Sequence, residues 1–346
     1  MAELSLEKVF IDFLKKVAPG TPLRLVINDL IRSRLGALIV FSSPELEKLI
    51  EGGFRVNCRF TPQRLFELCK MDGAIVISSD LKRILHANVL LTPDSTVISH
   101  ETGTRHKAAE RTAKQANTFV IAISERRRKT TLYYQKTKYY LKSSEELLRG
   151  ITSNLQFLEK QREIFDDLLS KLNILEMSDL VSVSDVCRII QRAEIILRIS
   201  ETIKRNFTEL GKEGNIMNLR HKELLKNVEK IKDDLIRDYS KLSLNKSKKL
   251  IINLTFEGLI ELETLARLLF EEGPEESVYP KGYRFMSHLS LNEKEISVIA
   301  SQFSGLNKII EVSSEDLEPI IKGKSGKVRE EINNLREQIL SGKIVL

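Results

Sequence analysis

The spacing of apolar positions changes character along this chain, and the change divides it. Over the first 143 residues, short apolar runs alternate with helical stripes. Glu7 to Val17 and Thr21 to Arg34 repeat apolar residues three and four apart, which predicts amphipathic helices, while Gly36 to Phe41 reads as a short buried strand. Thr61 to Lys70 follows as helix, Ala74 to Ser78 as strand, and Arg83 to Leu91 as another strand beyond the polar Ser78-Ser79-Asp80 turn. Thr104 to Asn117 is a predicted helix. Thr118 to Ser124 and Thr130 to Tyr140 then form a hairpin around Glu125-Arg126-Arg127-Arg128-Lys129. Helices interleaved with strands in this way imply an α+β domain, a mixed sheet flanked by helices.

From about Ser143 the period is helical throughout. Leu147, Leu148, Ile151, Leu155, Leu158, Phe165, Leu168, Leu169 and Leu172 form one long stripe, and Asp185 to Asn206 and Asn218 to Tyr239 behave alike. Proline punctuates the ends of the chain and spares this middle: five of the eight fall between Pro19 and Pro93, and none follows until Pro274. The expectation is an all-α spine over 144–273, with stripes that are core, after a first domain over 1–143. The tail, 274–346, carries short helices. Glu315 to Ile321, the turn Lys322-Gly323-Lys324-Ser325-Gly326, and Lys327 to Leu340 make a helix-hairpin-helix whose backbone N–H groups suit a phosphate; an ordinary interhelix turn has the same pattern.

Charge sharpens this division. Lys plus Arg outnumber Asp plus Glu by 24 to 14 in 1–143, against 21 to 23 in 144–273 and 10 to 11 in 274–346. The positive field therefore belongs to the first domain, and the near-neutral tail argues against a protein whose main business is gripping nucleic acid. The three cysteines, Cys58, Cys69 and Cys187, have no metal-ligand spacing and are odd in number, which fits inert thiols and a reducing, cytoplasmic setting. No apolar run approaches a membrane span and no secretion leader is visible, so no membrane partner is expected.

Two motifs stand out as chemistry. Met71-Asp72-Gly73-Ala74 puts a carboxylate on a tight turn at the mouth of a strand, where it can hold a divalent metal, and Gly73 lets a ligand approach the backbone. Gly103-Thr104-Arg105-His106-Lys107 opens a helix with a hydroxyl suited to capping it and with free N–H groups. Arg105, His106, Lys107 and Arg111 crowd cations where the helix dipole favours anions, an arrangement that invites a phosphate. Flanking cations should push the His106 pKa down, leaving a neutral donor for phosphate oxygens. Arg126, Arg127 and Arg128 at the hairpin tip suit either solvent or phosphate. No P-loop, dinucleotide fingerprint or His-Glu-x-x-His pattern is present. Metal-assisted phosphoryl or nucleotidyl transfer is the economical chemistry.

The Asp72-Gly73-Ala74 and Gly103-Thr104-Arg105-His106 pair resembles the DGA and GTRH motifs of the diadenylate cyclases, in the expected order and structural context. The three-part layout, with Tyr279-Pro280-Lys281-Gly282-Tyr283 entering the tail, is similar to one architecture within that family over nearly the whole chain. The resemblance implies cyclic di-AMP made from two ATP with release of two pyrophosphates, at cyclase domains paired face to face. It implies catalytic roles for Asp72, Arg105 and His106, with Asp72 binding Mg²⁺ or Mn²⁺. It further implies ATP contacts from Gly73, Leu91 (against adenine), Thr104, Arg105, His106, Ser124 and Arg127. It also implies a homo-octamer of two stacked tetramers, and branched DNA bound at the tail through Gly323, Lys324 and Lys327 that suppresses synthesis.

Three positions depart from the family pattern. Lys107 stands where Arg is common, Glu125 where many members have Arg, and Gly323-Lys324-Ser325-Gly326 replaces a hairpin of glycine, apolar residue, glycine. Two rival functions stay open at this level: a DNA-junction-binding protein whose nucleotide domain senses ATP without turning it over, and a different nucleotidyl transferase.

Overall fold

The structure, a computed structural model, describes residues 2–303 and 305–342, with side chains from residue 8 onward. Its contacts divide the chain into two compact units, 1–151 with 205–216, and 152–204 with 217–346. The boundary expected at 273 falls inside the second unit, and residues 205–216 join the first. They are tied there by Glu209, whose carboxylate accepts from the Tyr139 hydroxyl and from the Lys142 backbone N–H at 3.1 Å.

In the first unit, helices α1 (Ala2–Lys16) and α2 (Pro22–Arg32) precede strand β1 (Ala37–Phe41), then β2 (Ile50–Glu51), β3 (Phe54–Arg59), α3 (Pro62–Leu68), β4 (Ala74–Ile77) and β5 (Arg83–Leu91). After a loop come α4 (Thr104–Gln115), β6 (Val120–Ser124), β7 (Lys129–Tyr134) and β8 (Thr137–Leu141). Thr21 and Thr61 start α2 and α3 by accepting from the Arg24 and Arg64 N–H groups, each with proline at the first helical position. The sheet runs β2-β5-β4-β1-β6-β7-β8, with β3 on β5, and among the described residues only β1 and β4 are parallel. Strand alternation gives it two apolar faces. Ile39, Ile75, Ile77, Ile121 and Ile123 pack with Phe13, Val26, Leu30 and Leu65 of α1–α3, while Leu38, Val40, Val76, Val120 and Tyr133 pack under Ala109 and Ala113 of α4.

Two departures from the sequence pattern concern turns. Thr130 to Tyr140, expected as one strand, is β7 and β8 around Gln135, whose positive φ of 49° reverses the chain. Strands β2 and β3 were not expected: both pair antiparallel with β5 in one register, interrupted at Gly52 and Gly53 with positive φ, and exposed polar residues in β3 mute its alternation.

The all-α part begins with α5 (Ser144–Met177), whose start is a reciprocal box in which Ser143 Oγ accepts from the Glu146 N–H and Glu146 accepts from the Ser143 N–H. It continues through α6 (Val183–Leu210), α7 (Asn215–Leu224), α8 (Val228–Tyr239), α9 (Leu244–Asn253), α10 (Phe256–Ile260) and α11 (Leu262–Phe270). Asn218 to Tyr239, expected as one helix, is two, broken where Asn227 takes φ 63°. Then follow α12 (Tyr283–Met286), α13 (Glu293–Phe303), α14 (Leu306–Glu311), α15 (Ser314–Ile321) and α16 (Ser325–Leu340), the last pair joined by a turn through Gly323. Arg284 and Glu176, both buried, pair between α12 and α5, while Arg284 also donates to Asn173 and Tyr239 donates to Glu176. No described helix is long and apolar enough to cross a membrane. Burial pushes the Cys69 and Cys187 thiols up to about 12, as inert cysteines require.

Candidate active site

Strand register gathers the sequence-predicted residues at one edge of the sheet. Ile39 of β1 lies beside Ile75 of parallel β4, so Gly36 and Asp72 reach the same edge. Ala37 is opposite Ile123, which brings Ser124 alongside Gly36, and Ala74 is opposite Val89, which brings Leu91 alongside Asp72. Leu91 is buried at this end of β5, whereas Asp72 and Gly73 are exposed on the turn before β4. Gly73 has φ 84°, and a Cβ there would lie 2.9 Å from the Asn88 carbonyl carbon and the Val89 oxygen, so the turn that presents Asp72 admits only glycine without strain.

The start of α4 arrives at the same edge. Gly103 is its N-cap and makes no side-chain cap bond; Thr104 is therefore the first helical residue, and the expected Thr104 cap is corrected. Its exposed hydroxyl is left for a ligand. The Arg105 guanidinium rests against the Gly36 backbone, in space that any larger residue at 36 would take. Ser124 Oγ accepts from the Arg127 N–H at 3.2 Å, folding the exposed hairpin tip back toward this edge, and Arg127 is close enough to act on the His106 charge.

His106 is half-buried, with Nδ1 2.9 Å from the Tyr133 hydroxyl. Its pKa is held below the usual imidazole range, as expected, but burial is the main cause and the cations Arg105, Lys138 and Arg127 add to it against Glu101. Arg111 does not join the phosphate cluster. It donates to Val97 O at 2.8 Å and Ser95 O at 2.7 Å, while Lys114 donates to Ile98 O and the Ser99 hydroxyl donates to Glu110. These bonds stitch the loop before α4 onto the helix and so fix where Gly103 and Thr104 stand.

Sequence reasoning passed over Gly36, Glu101, Tyr133 and Lys138. Glu101 had a usable signal, a carboxylate two residues before Gly103 of the helix-start motif. Tyr133 and Lys138 had none, because only the β7–β8 turn decides which members of that aromatic run face α4.

At the tail, Gly323 N–H donates to Glu318 Oε1 at 2.9 Å and the Ser325 hydroxyl donates to the other oxygen of the same carboxylate. Lys324 pairs with Glu295 at 3.5 Å and Lys327 with Glu331 at 3.6 Å. Each donor singled out for DNA thus already faces a carboxylate.

A mixed sheet whose one edge presents the Asp72-Gly73-Ala74 turn and the Gly103-to-His106 helix start defines a nucleotide-binding domain of the diadenylate cyclase class. Family models agree: the nucleotide-binding region of the DisA bacterial checkpoint controller matches residues 24–138, and the linker region of the same controller matches 141–277. The chain is 38% identical to the DNA integrity scanning protein DisA of Clostridium botulinum (strain Loch Maree / Type A3), covering 98% of this chain and 99% of that one. It is 39% identical to the DisA of Clostridium beijerinckii over 94% and 95% of the two chains. It belongs to the DNA integrity scanning protein family. Among solved structures, DacA from Staphylococcus aureus is 24% identical, with 43% of this chain and 97% of that chain covered and a TM-score of 0.31.

Proposed function

We propose that two copies of this chain bring these sheet edges face to face and condense two ATP into cyclic di-AMP. The observation that carries this reading is the meeting of Asp72, Arg105, His106, Ser124 and Leu91 at one edge, with Thr104 and Arg127 open to solvent. One carboxylate and one cationic helix start make half of a two-nucleotide site. In the reaction each ribose 3′-oxygen attacks the α-phosphorus of the other ATP; a phosphorus–oxygen bond forms there, the bond to pyrophosphate breaks, and the hydroxyl proton is released.

Arg105, Thr104 and the free N–H groups at the start of α4 hold the triphosphate, Ser124 and Arg127 close over it, and Leu91 and Gly73 bound the adenosine. Among the described residues no three His, Cys, Asp or Glu side chains gather as a metal cage. A single exposed Asp72 instead suits Mg²⁺ or Mn²⁺ that shares its coordination with substrate phosphates and water. Such an ion, when bound, eases deprotonation of the 3′-hydroxyl and neutralises charge on the phosphate. The local basic excess offsets the repulsion between two polyanionic substrates.

We extend the reading to regulation by branched DNA at the Gly323 hairpin and to assembly beyond the dimer, up to an octamer. The name carried by the relatives supports the first, and the long helices α5 and α6 are suited to the second. Mass spectrometry of the product from ATP with Mn²⁺ or Mg²⁺, with and without a four-way junction, tests the scheme. Cyclic di-AMP is expected from the native protein, less of it with the junction, and none from Asp72→Asn or after chelation. Equal synthesis by Asp72→Asn removes that residue from the mechanism. Junction binding without any turnover favours a sensor instead.

A further inference from the structure

Behind His106 stands a chain of groups that neither motif contains. The buried Tyr133 hydroxyl, 2.9 Å from His106 Nδ1, donates to Glu101 Oε1 at 2.7 Å, and Glu101 is also paired with Lys138. Burial works to raise the Glu101 pKa, but the bonds from Lys138 and Tyr133 outweigh it and hold the carboxyl below its ordinary value. An ionised carboxylate only accepts, and a phenol has a single proton to give. Tyr133 gives it to Glu101. Its oxygen is left to accept from His106, so the neutral ring carries its proton on Nδ1 and presents a bare lone pair at Nε2. Among the described residues Nε2 has no hydrogen-bond partner.

The consequence runs against the simplest use of this histidine. A lone pair repels phosphate oxygens; only a protonated Nε2 attracts them. We propose that Tyr133 and Glu101 are positioning residues that assign the neutral His106 proton to Nδ1, so that triphosphate capture at this helix start takes up a proton from solvent on Nε2. This rests on the reading that ATP phosphates occupy the edge. The groups facing the ring are Glu101 from the preceding loop, Arg105 on α4, Tyr133 on β7, Lys138 on β8 and Arg127 from the β6–β7 turn. A bound polyanion adds the negative charge that favours the imidazolium among them.

Binding of non-hydrolysable α,β-methylene ATP, followed between roughly pH 6 and 9, tests the assignment, with His106→Gln reporting the titration of the nucleotide itself. Relative to that variant, native affinity is expected to fall about tenfold per pH unit between the imidazole pKa of the free protein and the higher one of the complex. Calorimetry of the native protein in two buffers of different ionisation enthalpy should register uptake of about one proton there. In Tyr133→Phe the neutral ring is free to move its proton to Nε2, so the excess slope should vanish while binding at high pH persists. An equal loss of affinity at every pH with the native slope retained makes Tyr133 a packing residue and overturns the proposal, as does absence of proton uptake in the native protein. Product formation is assayed on the same preparations. Proton uptake without cyclic product would sink the proposed reaction and leave the tautomer assignment standing; product without uptake does the reverse.

Discussion

The Arg105 guanidinium lies against the backbone of Gly36, so close that a Cβ at position 36 would overlap Nη1 and fall 2.8 Å from Cζ. The seat at the head of β1 exists because residue 36 has no side chain. Its backbone is not in the left-handed region, so alanine is tolerated locally and the guanidinium alone has to move. Gly36→Ala is therefore expected to keep its melting temperature while cyclic di-AMP synthesis drops by roughly 100-fold, the scale of a displacement of about 1 Å in a positioned group. Initial rates beside a thermal melt check this; an unchanged rate means Arg105 does not act from this seat.

Gly73 makes the opposite kind of prediction, because there the backbone itself forbids a side chain. With φ 84° and two β5 backbone atoms 2.9 Å from the would-be Cβ, Gly73→Ala is expected to destabilise the first unit by about 1–3 kcal/mol. Denaturant midpoints at constant slope measure it. Full stability with lost activity shows instead that the turn yields and swings Asp72 away.

In the tail, the Glu318 carboxylate occupies the donors that a DNA phosphate needs. Glu318→Ala should free the Gly323 N–H and the Ser325 hydroxyl, tighten four-way-junction binding several-fold and steepen its dependence on salt, since one fewer anion competes at the hairpin. Gel shifts at two salt concentrations report both effects. Binding that does not respond places any DNA contact elsewhere.

Arg284 and Glu176 are both buried and paired, and the same guanidinium satisfies Asn173. Arg284→Ala leaves Glu176 as an uncompensated buried charge and is expected to cost about 3–5 kcal/mol in the helical unit. Chemical denaturation followed by far-ultraviolet dichroism detects it, and a loss below about 1 kcal/mol shows that water reaches Glu176 in the variant.

The helices and most strands were legible because their signals are local. Pro62 after Thr61 marks a helix start wherever it occurs, and Ala37 to Phe41 is apolar enough to declare a buried strand. The two elements read as too long share one cause. Gln135 and Asn227 break apparently continuous periods by entering positive φ, a choice that non-glycine residues make when packing on either side rewards it. Thr104 had the chemistry of a cap, but the stitched loop before α4 sets the cap one residue earlier, at Gly103.

By itself the sequence determined the motif pair, most helices and strands of the first 143 residues, and the basic excess there, because each depends on neighbours along the chain. Only the tertiary structure decided that Gly36 seats Arg105, that Arg111 braces a loop, and that Tyr133 and Glu101 stand behind His106. Those relations come from register. Ile39 beside Ile75 and Ala37 opposite Ile123 bring together residues tens of positions apart, and a slip of one residue in either pairing would turn every side chain of that strand to the other face.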